Sequence, residues 1–303
     1  MGQFSEEQIE KIGDLLNDPN RPLKERFRAL FTLRNIGGPT SIKFIEKCFG
    51  DTSALLKHEL AYCLGQMQDP AANPVLVKVL ENTTEEPMVR HEAAEALGAI
   101  GSPDSLKVLE KYKEDSVVDV AETCEIALDR IKWLQNPENK NLTQNPYNSV
   151  DPAPPTETKS VEELKKILLN DSLPLFQRYR AMFSLRNMRN KESVLALGEA
   201  LEHGSALFRH EVAFVLGQLQ DENAVPYLTK SLENVEESAM VRHECAEALG
   251  AIATDECNRV LNKYLEDSAR VVKESCEIAL DMCEYENSEE FQYANSLNIS
   301  GEK

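Results

Sequence analysis

Apolar residues recur along this chain with the three-to-four-residue rhythm of amphipathic helices. Val89, Ala93, Ala96, Leu97 and Ile100 fall on one stripe when successive residues turn by about 100°. Leu56, Leu60, Cys63, Leu64 and Met67 form the same stripe one repeat earlier. Phe208, Val212, Val215, Leu216 and Leu219 repeat it later, as do Val241, Cys245, Ala248, Leu249 and Ile252. Ala, Leu and Glu are frequent, the alternation of a strand is scarce, and turn residues recur at Gly37-Gly38-Pro39, Asp69-Pro70 and Ser102-Pro103. The landmarks Leu33, Leu64, Leu97 and Leu128 are 31, 33 and 31 residues apart. That period marks helical hairpins that must stack to bury their apolar faces. It is shorter than a standard HEAT unit and lacks the tetratricopeptide signature, so the pattern predicts an all-α solenoid of HEAT-like hairpins.

A second periodicity lies above the first. PLKERFRALFTLRN from Pro22 returns as PLFQRYRAMFSLRN from Pro174, and MVRHEAAEALGAI from Met88 returns as MVRHECAEALGAI from Met240. Every such pair is offset by 152 residues, with no gap between 22–129 and 174–281. The chain is therefore a duplication of four hairpins, eight in all. The expected halves are 1–134 and 161–284. Between them, 135–160 carries five prolines among Asn, Ser and Thr and predicts an extended, mobile linker. The polar stretch 285–303 predicts a disordered acidic tail.

Four of the five histidines stand in His-Glu pairs: His58-Glu59, His91-Glu92, His210-Glu211 and His243-Glu244. All occupy one phase of the inner two hairpins of each half; the first hairpins carry Phe27-Arg28 and Tyr179-Arg180 there instead, so the repeat itself does not require the pair. Each of these histidines lies almost opposite its apolar stripe and points toward the inner surface. His203 has no Glu beside it and reads as a surface residue. Gly65, Gly98, Gly217 and Gly250 follow each His by seven residues and share its face. They mark either close helix packing or space for a ligand, and are retained as pocket candidates with Tyr62, Glu95, Phe214 and Glu247. The Lys or Arg before each His (Lys57, Arg90, Arg209, Arg242) reads as a solvated or inter-repeat ion-pairing charge.

Mixed imidazole and carboxylate ligation without thiolate suits iron, manganese or zinc. Eight candidate ligands exceed one ion's needs and suffice for two. Two imidazoles and one carboxylate per ion leave coordination positions open, which favours an oxygen-activating centre over a closed structural one, while zinc or manganese hydrolysis stays open on ligand type alone.

Charge narrows the partners. The 303 residues carry 52 acids against 33 bases, a formal net charge of -19, which opposes nucleic-acid binding and favours cationic partners. No run of apolar residues is long enough for a membrane span. The N-terminus lacks the pattern of an export signal, and the seven cysteines are read as reduced core thiols of a cytoplasmic protein. Gly2 and Ser5 match a myristoylation signal only loosely.

With its duplicated HEAT-like repeats, four His-Glu motifs and a linker between halves, the chain over roughly 20–285 resembles the deoxyhypusine hydroxylase family. No motif position departs from that family's pattern. The resemblance implies a non-haem di-iron monooxygenase that uses O2 and an external reductant. Its substrate would be the deoxyhypusine side chain of a translation initiation factor, converted to hypusine. It implies that His58, His91 and Glu92 bind one Fe2+, that His210, His243 and Glu244 bind the other, and that Glu59 and Glu211 hold the substrate. A monomer is expected. The rival readings are a non-enzymatic HEAT-repeat scaffold, a bilin lyase and a dinuclear metal hydrolase.

Overall fold

A computed structural model describes residues 4–136, 145–157, 159–290 and 292–294. Among them there are sixteen α-helices and no strand. The first half comprises α1 (Glu6–Asn17), α2 (Leu23–Ile36), α3 (Gly38–Cys48), α4 (Ala54–Met67), α5 (Asn73–Glu81), α6 (Pro87–Ile100), α7 (Leu106–Tyr112) and α8 (Val118–Gln135). The second comprises α9 (Val161–Leu168), α10 (Leu175–Met188), α11 (Lys191–Ala200), α12 (Ala206–Leu219), α13 (Val225–Glu233), α14 (Ala239–Ile252), α15 (Asp255–Lys263) and α16 (Arg270–Glu286). Successive pairs form the eight hairpins. Among these helices none is long and apolar enough to cross a membrane. Ser5, the described part of the candidate lipidation motif, caps α1 by accepting from the Gln8 amide; Gly2 lies outside the described residues.

The even-numbered helices form a closed circuit. Each packs on the next from α2 to α16, α8 meets α10 between the halves, and α16 returns to meet α2. A repeated polar device ties the hairpins together. Arg26, Arg90, Arg178 and Arg242 each donate from Nε to the carbonyl ten residues earlier, at 2.8–3.0 Å. Three of them also donate from Nη2, at 2.6 Å, to an aspartate 25 residues later: Asp51, Asp115 and Asp267. Each aspartate accepts a backbone N–H at the entry to the next inner helix, at 2.8 Å. One side chain thus satisfies a helix C-terminal carbonyl and braces the following hairpin. At the fourth site His203 stands where the aspartate would be, and Arg178 pairs with Asp171 instead. His203 is exposed. The basic residues preceding the paired histidines are inter-repeat partners: Lys57 with Glu85, Arg209 with Glu237, and Arg90 and Arg242 with their aspartates.

The four site-face glycines are packing residues. A Cβ added to Gly65, Gly98, Gly217 or Gly250 would lie 2.7–3.0 Å from the nearest backbone or Cβ atoms of Ala96, Ala127, Ala248 and Ala279. Alternating Gly and Ala let the inner helices approach closely. Of the two readings open in the sequence, close packing holds at all four positions, and Gly217 alone also borders the central cavity.

The connection between the halves, over 145–157, holds no helix but turns and bends rather than running extended throughout, and it is anchored rather than mobile. Asp151 accepts from both Nη atoms of Arg186, at 2.9 and 2.7 Å, and Arg186 is 0% exposed. The Gln66 side chain bonds both the N–H and the carbonyl of Val150. Arg130 donates to the Asp151 carbonyl at 2.8 Å, and Arg180 to the carbonyls of Pro154 and Pro155 at 3.2 Å. Composition signals the absence of helix; it does not signal the arginines waiting to receive the segment. At the other end, α16 continues to Glu286, past the expected boundary at 284. Beyond it, Tyr293 packs edge-on to Phe31 and under the Arg28 guanidinium, and Ala294 is buried. The expected disorder of the tail is corrected for these residues; 295–303 lie outside the described residues.

Candidate metal centre

Helices α4, α6, α12 and α14 turn their polar face to the middle of the ring, and each delivers its His-Glu pair there. The four imidazoles meet. His58 lies 5.5 Å from His91, 5.7 Å from His210 and 5.2 Å from His243, between ring centroids. His91 and His210 are 5.4 Å apart, and His210 and His243 5.3 Å. The duplication is visible in the carboxylates: His58 Nε2 is 3.3 Å from Glu92, and His210 Nε2 is 3.4 Å from Glu244. These contacts are close without hydrogen-bond geometry. His58 Nδ1 is 3.2 Å from Glu59, and His243 Nδ1 is 3.4 Å from Glu247.

All four imidazoles are buried, yet six of their eight ring nitrogens have no hydrogen-bond partner: Nε2 of each, and Nδ1 of His91 and His210. Buried polar atoms are rarely left unmade, because each costs roughly 1–3 kcal/mol. Nitrogens converging on shared space without partners are a donor set for cations. One ligand atom each from His58, His91 and Glu92 can lie within 4.8 Å of the others, and so can atoms from His58, His210 and His243 and from His243, Glu244 and Glu247. The first group is the trio that the resemblance implies. The expected His210, His243 and Glu244 adjoin through the contacts above. The other two groups show that both halves contribute to one cluster and that Glu247 stands close to it.

Electrostatics point the same way. Glu59, Glu92, Glu95, Glu211, Glu244 and Glu247 all border one cavity of about 290 Å3 that has no Lys or Arg in its wall. Burial, then the carboxylates around them, hold Glu95, Glu211 and Glu247 well above the usual carboxyl range. Burial and neighbouring imidazoles hold His91 and His243 well below the usual histidine range. Burial alone would lower His58 as well, but Glu92 and Glu59 outweigh it and raise that imidazole. Such a cluster is short of positive charge, and its donor set suits cations.

Tyr62 and Phe214 stack edge to face, 6.1 Å apart, as one wall. Phe31 and Met282 line the same cavity and were not singled out in the sequence; they come from α2 and α16, helices without a His-Glu pair. Only ring closure brings them to the site. Asp151, whose charge adds to the raising of Glu95, was missed because it lies in a stretch that reads as linker.

A family profile described as HEAT repeats matches residues 43–129, 161–237 and 197–281. The chain is 67% identical over 295 residues to deoxyhypusine hydroxylase of Drosophila pseudoobscura pseudoobscura and 58% identical over 293 residues to that of Homo sapiens, covering 97% of both chains in each case. It is also similar to a solved structure of human deoxyhypusine hydroxylase in complex with glycerol, with a TM-score of 0.90 over 92% of this chain and 96% of that one. Paired imidazoles gathered from two copies of one HEAT-repeat half and near-full-length similarity lead to one conclusion: the chain belongs to the deoxyhypusine hydroxylase family.

Proposed function

We propose that this enzyme completes hypusine by hydroxylating the deoxyhypusine side chain of a translation initiation factor at a non-haem di-iron centre, in the cytosol. The observation that supports the reading is the set of six buried imidazole nitrogens without a hydrogen bond, beside crowded carboxylates. His58, His91 and Glu92 would hold one iron, and His210, His243 and Glu244 the other. Iron with O2 supplies an oxidant able to attack an unactivated C–H bond. One oxygen atom enters that bond. The other leaves as water, using two electrons and two protons from an external reductant.

The protein's own part is binding and exclusion. Glu59 and Glu211 border the cavity and accept from the ammonium groups of the substrate, fixing which carbon faces the centre. Tyr62, Phe214 and Phe31 give an apolar wall that sheds water around the methylene chain. Seven unpaired, buried cysteines suit a reducing compartment.

Incubation of the iron-loaded protein with the deoxyhypusine-bearing factor, O2 and a reductant tests the reading. A mass gain of one oxygen atom on the factor, from 18O2 and not from labelled water, is expected. No gain from protein that has bound two irons would refute it.

A further inference from the structure

The duplication builds two related mouths around the central cavity, one where α8 meets α10 and one where α16 meets α2. Residues 152 apart furnish them: Phe183 and Phe31, Arg186 and Arg34, Asn187 and Asn35, Arg180 and Arg28. The first mouth is filled by the chain's own connection. There Arg186 binds the Asp151 carboxylate with both Nη atoms, and its guanidinium lies 4.8 Å from the Tyr147 ring centroid and 4.7 Å from that of Phe183. Arg130 and Arg180 take main-chain carbonyls of the same segment.

At the second mouth the stretch after α16 fills the same frame only in part: Tyr293 packs on Phe31 and under Arg28, Ala294 is buried, and a hollow remains beside them. A hollow of about 310 Å3 lies between Phe31, Arg34, Met282, Tyr285 and Tyr293, and it shares Phe31 and Met282 with the central cavity. Arg34 lies 5.0 Å from the centroid of Phe31, as Arg186 lies over Phe183, and donates to the Asn35 side chain, as Arg186 donates to Asn187. The acceptor that Arg186 has in Asp151 has no counterpart at Arg34 among the described residues. Met282 stands at the position that Arg130 holds in the first mouth, and it lines both this hollow and the cavity.

We propose that the α2/α16 mouth is the docking surface for the extended polypeptide that carries the substrate side chain. Arg34 takes a main-chain or carboxylate oxygen of that segment, as Arg186, Arg130 and Arg180 do with the linker. The inference rests on the hydroxylase reading. A cavity of about 290 Å3 admits a side chain and not the protein that bears it, and the hollow that shares Phe31 and Met282 with it offers the flanking backbone a seat beside the opening. The linker is then an internal copy of how a chain without helix seats on this scaffold.

The test compares binding of the deoxyhypusine-bearing factor and of spermidine, a probe of the cavity alone, to wild-type, Arg34→Ala and Arg34→Lys protein, with iron content measured in each. Loss of a charge-assisted contact at Arg34 is expected to weaken factor binding about tenfold. Arg34→Lys should restore part of it, and spermidine affinity and iron content should not move. In parallel, a photoreactive benzoylphenylalanine at Asn35 should crosslink to the factor beside the modified lysine, while one at exposed Val235, before α14 on the opposite rim, should not. This readout holds even if Arg34→Ala fails to fold. Unchanged factor affinity in Arg34→Ala, or no crosslink from position 35 in active protein, overturns the docking surface alone. So does tighter factor binding by a chain ending at 294, because residues 295–303 would then be the occupant. Wild-type protein that neither binds nor hydroxylates the factor overturns the hydroxylase reading with it.

Discussion

On the proposed reading, the four imidazoles and six carboxyl groups of the buried centre would divide between holding cations and holding a guest, so substitutions there should separate cleanly. His91→Ala and His243→Ala are expected to lose bound iron, measured by metal analysis. Glu59→Ala and Glu211→Ala should keep it and bind substrate at least tenfold more weakly, the order of one charge-assisted contact. Full-strength substrate binding by both Glu variants would defeat that division. The glycines behave differently. Gly98→Ala places a methyl 2.7 Å from the Ala127 Cβ and 2.9 Å from its Cα, where backbone must move. A loss of about 1–3 kcal/mol is expected in denaturant unfolding, and a loss near zero would show that the helices can part. The His-Glu pairs were legible in the sequence because a polar pair that recurs at one phase, with its histidine opposite the apolar stripe, is not there to fill the core. The glycines were not. A helical wheel gives the face a residue occupies but not how near the next helix comes.

Among the elements, the Arg–Asp braces make stability depend on acid. Burial alone would raise Asp51, Asp115 and Asp267, but the backbone N–H groups and the guanidinium each carboxylate accepts from outweigh it and hold all three below the usual aspartate range. A depressed folded-state carboxyl contributes stability above the unfolded value of about 4, and that contribution disappears as pH falls through the lower folded value. The contribution of the braces to stability should therefore hold from neutrality to about pH 5 and be lost below about pH 4, read as a fall in melting temperature there. Replacing all three aspartates by Asn should flatten that fall; an acid limb of unchanged slope would assign the effect elsewhere. Helix ends give a second expectation. Gly101 closes α6 with φ +73°, and its counterpart Ala253 closes α14 with φ +59°, a region costly for a side chain. Ala253→Gly should stabilise by about 0.5–1 kcal/mol, read as a raised melting temperature; a lowered one would count against it. The sixteen helices and the hairpin order follow from the periodicity of the chain. Of the braces, Arg90 and Arg242 were legible as candidate inter-repeat charges, but their aspartates were not, because residues 25 apart share no local pattern and only stacking brings them together.

For the molecule as a whole, the join between halves matters more than its composition suggests. Asp151→Ala would leave Arg186, fully buried, without its carboxylate. A loss of about 3 kcal/mol is expected, together with faster proteolysis in 145–157; wild-type stability would make the anchored linker incidental. The closed ring has a further consequence. An open solenoid gains or loses hairpins cheaply, since each unit touches only its neighbours. Here Arg28 on α2 grips Asp281 on α16 and Glu290 beyond it, so the last unit must land on the first. A ninth unit would break that clasp and spread the three imidazoles that now sit within 6 Å of His58. The number eight is therefore held by the chemistry at the hub, and copies of this architecture should vary at their loops and ends while their count of hairpins stays frozen.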